Sequence, residues 1–269
     1  IIFPLQRIRR ELRMCAMLDH DNILPVYGHS SSFGPYAAFV SPWAANGDLT
    51  AYLEREYTWL PIVKKFGILR DVIAGLQYLH GKNVIRGDLT GNNVLIYLDG
   101  TACLTDLDLS VMDSEGEGTS QAAWTSSFRG SVRWMAPELF GEREDGLPVR
   151  PSKESDIYSF AGIFLQACLF NFEPNEVLTN RIPYWYHPRD AIVIRDLITS
   201  VKPIRSRYDP IPDKYWQFIE ECWSIEICHR PSTGRVVEVV SDELDLLRIA
   251  FPELLLLHTS WPRRIRSLL

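Results

Sequence analysis

The stretch from Val84 to Ser110, VIRGDLTGNNVLIYLDGTACLTDLDLS, carries residues whose types and spacing could hold a metal and move a proton. Asp88 is followed five places later by Asn93, and Asp106 lies beyond a second apolar run. Between them Val94-Leu95-Ile96-Tyr97-Leu98 reads as a strand, Asp99-Gly100 has the composition of a tight turn, and Ala102-Cys103-Leu104 starts a return strand. A hairpin brings its two ends together. Asp88 and Asn93 on the way in, and Asp106 on the way out, can therefore converge on one point. Two carboxylates and an amide oxygen are hard oxygen ligands, a set suited to magnesium that also carries substrate phosphates. Taken singly, each of the three also reads as a solvated turn residue or a helix cap.

The elements that must position this hairpin are legible on either side of it. Pro61 to His80 reads as the clearest helix of the chain, with proline in its first turn, Ile62, Phe66, Leu69, Val72, Ile73, Leu76 and Leu79 on one stripe, and Gly81 as its stop. His80 reads as a helix-end residue rather than a ligand. Pro4 to Leu18 reads as an amphipathic helix, because Leu5, Ile8, Leu12, Cys15 and Leu18 recur at intervals of three and four. Tyr36 to Val40 alternates as a strand, and Ser41 to Leu49 is a turn-rich connector. Val111 to Arg129 is rich in Ser, Thr, Gly and Glu and reads as a loop.

Composition sets the outer bounds. The chain has 269 residues, of which 46% are hydrophobic, enough to bury a substantial core in one large domain or two lobes. Its net charge of −6 and charged content of 23% give no sign of a nucleic-acid surface. Cys15, Cys103, Cys168, Cys222 and Cys228 are odd in number and form no paired CxxC, which argues against a disulfide framework and a structural zinc site and fits a reducing, intracellular (cytoplasmic) compartment. The aliphatic run Leu254 to Leu257 is too short to span a bilayer, so no membrane span is expected. A chain that begins with Ile1 reads as a fragment or processed product.

Several of these stretches resemble the protein-kinase family, its tyrosine-kinase-like group in particular. Asp88-Leu89-Thr90-Gly91-Asn92-Asn93 is similar to the catalytic loop, and Asp106-Leu107-Asp108 occupies the place of Asp-Phe-Gly. Gly130-Ser131-Val132-Arg133-Trp134-Met135-Ala136-Pro137-Glu138 resembles the end of the activation segment, and Ser155 to Gly162 the start of the long central helix. Glu221-Cys222-Trp223 and His229-Arg230-Pro231-Ser232 resemble the closing motif, and the pieces stand in family order. The resemblance implies an α+β, bilobal fold with a mostly helical C-terminal lobe and an incomplete N-terminal β lobe. Its divisions would be 1–41 for the small lobe, 42–48 for the hinge, 49–240 for the large lobe and 241–269 for a tail. It implies ATP and Mg2+ as cofactors, and a protein substrate or protein partner. Asp88 would be the catalytic base, and Asn93 and Asp106 would hold the magnesium. Ser41 would guard the back of the adenine pocket, the backbone of Pro42, Trp43 and Ala44 would meet the adenine edge, and Leu95 would form the pocket floor. Asp48 would either take a ribose hydroxyl or cap the helix Leu49 to Glu54. Glu138 and Arg230 would form a planar bidentate pair, Asp156 would accept backbone N–H groups of the catalytic loop, and Trp223 would pack in the core with a partner for its indole N–H.

The chain also departs from the family pattern. Glu11 stands where a glutamate pairs with the ATP-binding lysine, yet the first lysine of the sequence is Lys64 and no GxGxxG occurs. His-Arg before the base is here Arg86-Gly87, so the arginine that reads a phosphorylated activation loop is gone, although Ser114, Thr119, Ser120, Thr125, Ser126 and Ser127 offer acceptor hydroxyls. Thr90 replaces the basic residue two places after the base, which lowers the expected turnover. Asp108 replaces glycine and either disturbs the backbone or adds a ligand. Low or no phosphotransfer is therefore expected. The alternatives are a pseudokinase acting as a protein-binding module and, less favoured, an aminoglycoside- or choline-type phosphotransferase, which shares Gly87-Asp88 and Asn93. A last helix is expected through Val236, Val240 and Leu244, and the small sheet is expected to expose an unpaired edge.

Overall fold

The computed structural model describes residues 14–30, 32, 38–56, 60–107, 111–112, 131–168, 182–208 and 211–252. Glu11, Asp108, the six candidate acceptor hydroxyls and residues 253–269 lie outside them. The architecture is α+β, with a helical body and short strands gathered toward its N-terminal side. The strands are β1 (Gly28–Ser30), β2 (Ala38–Val40), β3 (Val84–Ile85), β4 (Val94–Ile96), β5 (Ala102–Leu104) and β6 (Val111–Met112). The helices are α1 (Leu49–Glu56), α2 (Ile62–Gly81), α3 (Lys153–Cys168), α4 (Asp190–Ile198), α5 (Asp213–Cys222) and α6 (Thr233–Ala250).

Helix α2 is the spine of the body. It packs along α6 on one side and against α3 and β5 on others. Its apolar stripe is buried, with Leu69, Ile73 and Leu76 fully enclosed. Pro61 stands just before the first turn, as its fixed φ favours. The stop differs from the expected one: Gly81 is the last helical residue, and the reversal falls on Asn83, whose φ is +55°. Asparagine enters this left-handed conformation more readily than most residues, and here its Oδ1 accepts from the Lys153 ammonium at 3.3 Å.

Helix α3 is buried along nearly its whole length, which explains why its sequence shows no polar stripe. Phe164 sits at the centre of the helical core, with ring centroids 5.7 Å from Phe66 of α2 and 5.1 Å from Phe218 of α5. Each such ring contributes about 2–3 kcal/mol through area removed from water. Helix α6 buries Val236, Val240, Leu244 and Leu247 on one face. It runs on to Ala250, beyond Leu244, because the three-and-four spacing continues through Leu247. Ser232 caps its start by accepting the Arg235 N–H.

The described strands make three two-stranded antiparallel sheets: β1 with β2, β3 with β6, and β4 with β5. The β4–β5 register pairs Val94 with Leu104 and Ile96 with Ala102. Gly100 closes the turn at φ +92°, its N–H donating to the Tyr97 carbonyl at 3.0 Å. Asn22 docks the preceding chain on this hairpin: its carbonyl accepts the Leu104 N–H at 2.9 Å and its side-chain amide donates to the Ala102 carbonyl at 2.9 Å. The β1–β2 pair has only two described strands, and Val40 and Tyr27 beside it are exposed. Among the described residues no helix is long and apolar enough to cross a membrane.

Candidate functional site

The hairpin brings its open end together as its spacing predicts. Asn93 precedes β4 and Thr105 follows β5, and the Thr105 N–H donates to the Asn93 carbonyl at 3.1 Å. This bond sets Asp106 beside Asn93. Asn93 in turn closes the loop back onto Asp88, its Nδ2 donating to the Asp88 carbonyl and to Asp88 Oδ2, each at 2.9 Å. Both Nδ2 protons are thereby used. The Oδ1 atom takes part in no hydrogen bond among the described residues.

Asp106 is exposed, its φ is +60°, and its carboxylate has no hydrogen bond or ion pair among the described residues. A non-glycine residue held in the left-handed region costs free energy and persists only where its surroundings impose it. Two ligand oxygens, from Asn93 and Asp106, fit magnesium, which takes few protein ligands and completes its octahedron with water and phosphate oxygens. No group of three or more His, Cys, Asp or Glu side chains able to hold a metal occurs among the described residues, so the donor set does not suggest a structural cage.

Burial pushes the Asp88 carboxyl up from its ordinary range, and the nearby Asp106 charge pushes the same way. The Arg86 guanidinium and hydrogen bonds from Ser131 and Asn93 hold it down in part. The balance is a carboxylate more basic than a solvated one, the direction a proton acceptor needs.

The loop that carries Asp88 is anchored from below by one buried carboxylate. Asp156, at the start of α3, accepts the Arg86 N–H through Oδ2 and the Gly87 N–H through Oδ1, both at 2.8 Å. His80 Nε2 donates to the same Oδ2 at 2.8 Å. The expected role of Asp156 is thus seen. The His80 bond was not legible, because a histidine at a helix end gives no sign of a partner 76 positions away. Gly87, where the family has arginine, sits at φ +76°, a conformation glycine adopts without strain. Gly91 is squeezed from behind: a Cβ there would lie 2.4 Å from Thr50 Oγ1 and 2.9 Å from Gln166 Oε1. Only glycine lets α1 and α3 approach the loop this closely. Thr90 is buried, and its hydroxyl brings no charge to the loop.

The connector residues lie alongside β4. The Asn46 N–H donates to the Ile96 carbonyl at 3.1 Å and the Ile96 N–H to the Gly47 carbonyl at 2.9 Å, and Asp48 pairs with Leu95 in a bridge. Asp48 and Leu95 are therefore neighbours. Ser41, Pro42 and Ala44 are half-buried, whereas Trp43 is 87% exposed. Of the two roles open to Asp48, the helix cap is seen: Oδ1 accepts the Ala51 N–H at 2.9 Å.

The supporting contacts are also present. Arg230 Nη1 and Nη2 donate to the two carboxylate oxygens of Glu138 at 2.6 and 2.8 Å, the planar two-bond geometry expected of arginine. Trp223 is buried and its Nε1 donates to the Tyr158 carbonyl at 3.1 Å.

Residues 4–240 match the family model described as protein tyrosine and serine/threonine kinase. The chain is also similar to ephrin type-B receptor 2 of Gallus gallus, 23% identical over 234 residues, which cover 86% of this chain and 21% of that protein. The chain thus spans about a fifth of the length of this curated relative.

Proposed function

This chain belongs to the protein tyrosine and serine/threonine kinase family, and we propose that it is a protein kinase domain that transfers the γ-phosphate of ATP slowly to a Ser, Thr or Tyr hydroxyl of a protein. The observation that carries this reading is the junction of Asp88, Asn93 and Asp106: one 2.9 Å side-chain bond and one backbone bond tie them, while the Asp106 carboxylate stays exposed. In this reading Asp88 accepts the proton of the attacking hydroxyl as its oxygen bonds to the γ-phosphorus and the bond from that phosphorus to the bridging oxygen breaks, releasing ADP. Asn93 Oδ1 and the Asp106 carboxylate would hold magnesium, which when bound would neutralise phosphate charge. Ser41, Pro42, Trp43 and Ala44 supply the adenine edge, with Leu95 beneath, and the second oxygen of Asp48 remains for a ribose hydroxyl.

Slow turnover follows from Thr90. The cation expected two places after the base would steady the transferred phosphoryl group, and a buried hydroxyl side chain does not replace it. The same feature favours the second reading, a pseudokinase that binds proteins through its helical body. A magnesium-dependent thermal shift with ATP separates the first step from the rest. The chain should gain stability by mass action, and Asp106→Asn should lose the magnesium-dependent part. Phosphotransfer to generic protein substrates should then fall at least about 100-fold in Asp88→Asn, the scale of a lost general base. A magnesium-ATP shift with no phosphotransfer above that of Asp88→Asn supports the pseudokinase. No shift at millimolar ATP overturns the nucleotide site itself.

A further inference from the structure

Arg86 lends the site a charge near Asp88, yet it is among the largest side chains with no exposed surface. Burying a guanidinium costs several kcal/mol even after relaxation, so a cation in this position calls for an explanation. This one is turned inward, and its Nη2 donates to the Thr105 carbonyl at 2.6 Å.

Thr105 is the residue immediately before Asp106. Its N–H is already tied to Asn93 at 3.1 Å, so the Arg86 bond takes its other polar backbone group. The two peptide groups that flank Thr105, the second of which leads into the left-handed Asp106, are therefore each held. Arg86 is itself fixed: its N–H is held by Asp156 at 2.8 Å, and the preceding β3 pairs with β6 on the far side of the Asp106 turn. A rigid frame thus runs from α3 through Asp156 and Arg86 to the Thr105 carbonyl. An unusual φ at Asp106 needs surroundings of this kind to persist.

We propose that Arg86 is a positioning residue of the metal site, its buried guanidinium holding the Thr105 carbonyl so that the Asp106 carboxylate stays aligned with Asn93. The proposal rests on the reading of Asn93 and Asp106 as magnesium ligands only for its functional consequence. Its structural part stands on the Arg86 bond alone. Arginine is suited to the task because its long fork reaches a carbonyl while the stem packs in the core, whereas lysine has one compact ammonium.

Two measurements on Arg86→Met and Arg86→Lys test it. The first is amide hydrogen exchange. In Arg86→Met the Thr105 amide should exchange at least about tenfold faster, while Leu76 in α2 keeps its parental rate. Unchanged exchange at Thr105 overturns the proposal whatever the nucleotide result, and equal acceleration at Leu76 overturns it by showing general loosening. The second is ATP affinity with and without Mg2+. Loss of a residue that orients a metal ligand lowers metal affinity about 10–100-fold, so the magnesium-dependent gain should fall by that factor with metal-free binding kept. Combining Arg86→Met with Asp106→Asn should add nothing further, because both act on one carboxylate. A full additional loss in the double variant overturns the proposal. If the parent chain shows no magnesium-dependent gain, the metal reading fails, and the exchange rate still decides whether Arg86 holds the Asp106 turn. Should Arg86→Met not fold, Arg86→Lys keeps the charge and carries the same comparison.

Discussion

Arg230 and Glu138 show how little of a residue's role lies in its charge alone. The guanidinium side chain has 0% exposure and gives two further protons to the Ser224 and Glu154 carbonyls, so the Glu138 carboxylate is its only anionic partner among the described residues. Glu138→Ala should therefore cost about 3–5 kcal/mol, because it strands a buried cation. Arg230→Met in the same background should recover part of that loss. Urea unfolding of the two single variants and the double variant measures the coupling, and simple additivity would contradict the pairing.

At the scale of elements, the catalytic-loop geometry is set by what α1 and α3 press against it. Gly91→Ala would drive a methyl group to within 2.4 Å of Thr50 Oγ1 and 2.9 Å of Gln166 Oε1. Real Cβ atoms do not approach so closely, so the loop from Asp88 to Asn93 must shift, at an overpacking cost of about 1–3 kcal/mol. Thr50→Ala in the same background removes the nearer obstacle and should restore much of the stability and of the magnesium-dependent ATP shift. A Gly91→Ala variant with the parental unfolding midpoint would show that the helices yield instead.

For the whole molecule, the cost of its large helical core appears at Lys65. This residue of α2 is 4% exposed, and burial lowers its ammonium pKa from 10.5 to about 8, opposed in part by Cys168. The unfolded chain keeps the proton up to about pH 10.5, so between pH 8 and 10.5 it binds more protons than the folded chain, and stability gains from this residue as pH rises. Below pH 8 the penalty is fully present. Lys65→Met should accordingly be more stable than the parent by about 1–3 kcal/mol at pH 7. The advantage should shrink as pH climbs toward 10, read as the difference between paired urea titrations. A constant difference across that range would mean that packing, not the charge, sets it.

The sequence by itself determined the parts that depend on local chemistry and periodicity. The α2 stripe, the Asp99-Gly100 turn, the hairpin that joins Asp88, Asn93 and Asp106, and the motif order that marks the family are all readable from neighbours a few residues apart. The Glu138–Arg230 and Asp156 contacts were implied by the family resemblance, which supplied the long-range partners, and not by spacing. Other features depended on packing. The left-handed reversal at Asn83 just past the helix end, the His80–Asp156 bond, the burial of Lys65 and the pressure of Thr50 and Gln166 on Gly91 involve residues whose sequence surroundings look unremarkable. Arg86 is the clearest case. In the sequence it only stands where the family pattern has histidine, and the tertiary structure turns it inward onto the Thr105 carbonyl, because the direction of a long side chain is decided by the frame closed around it.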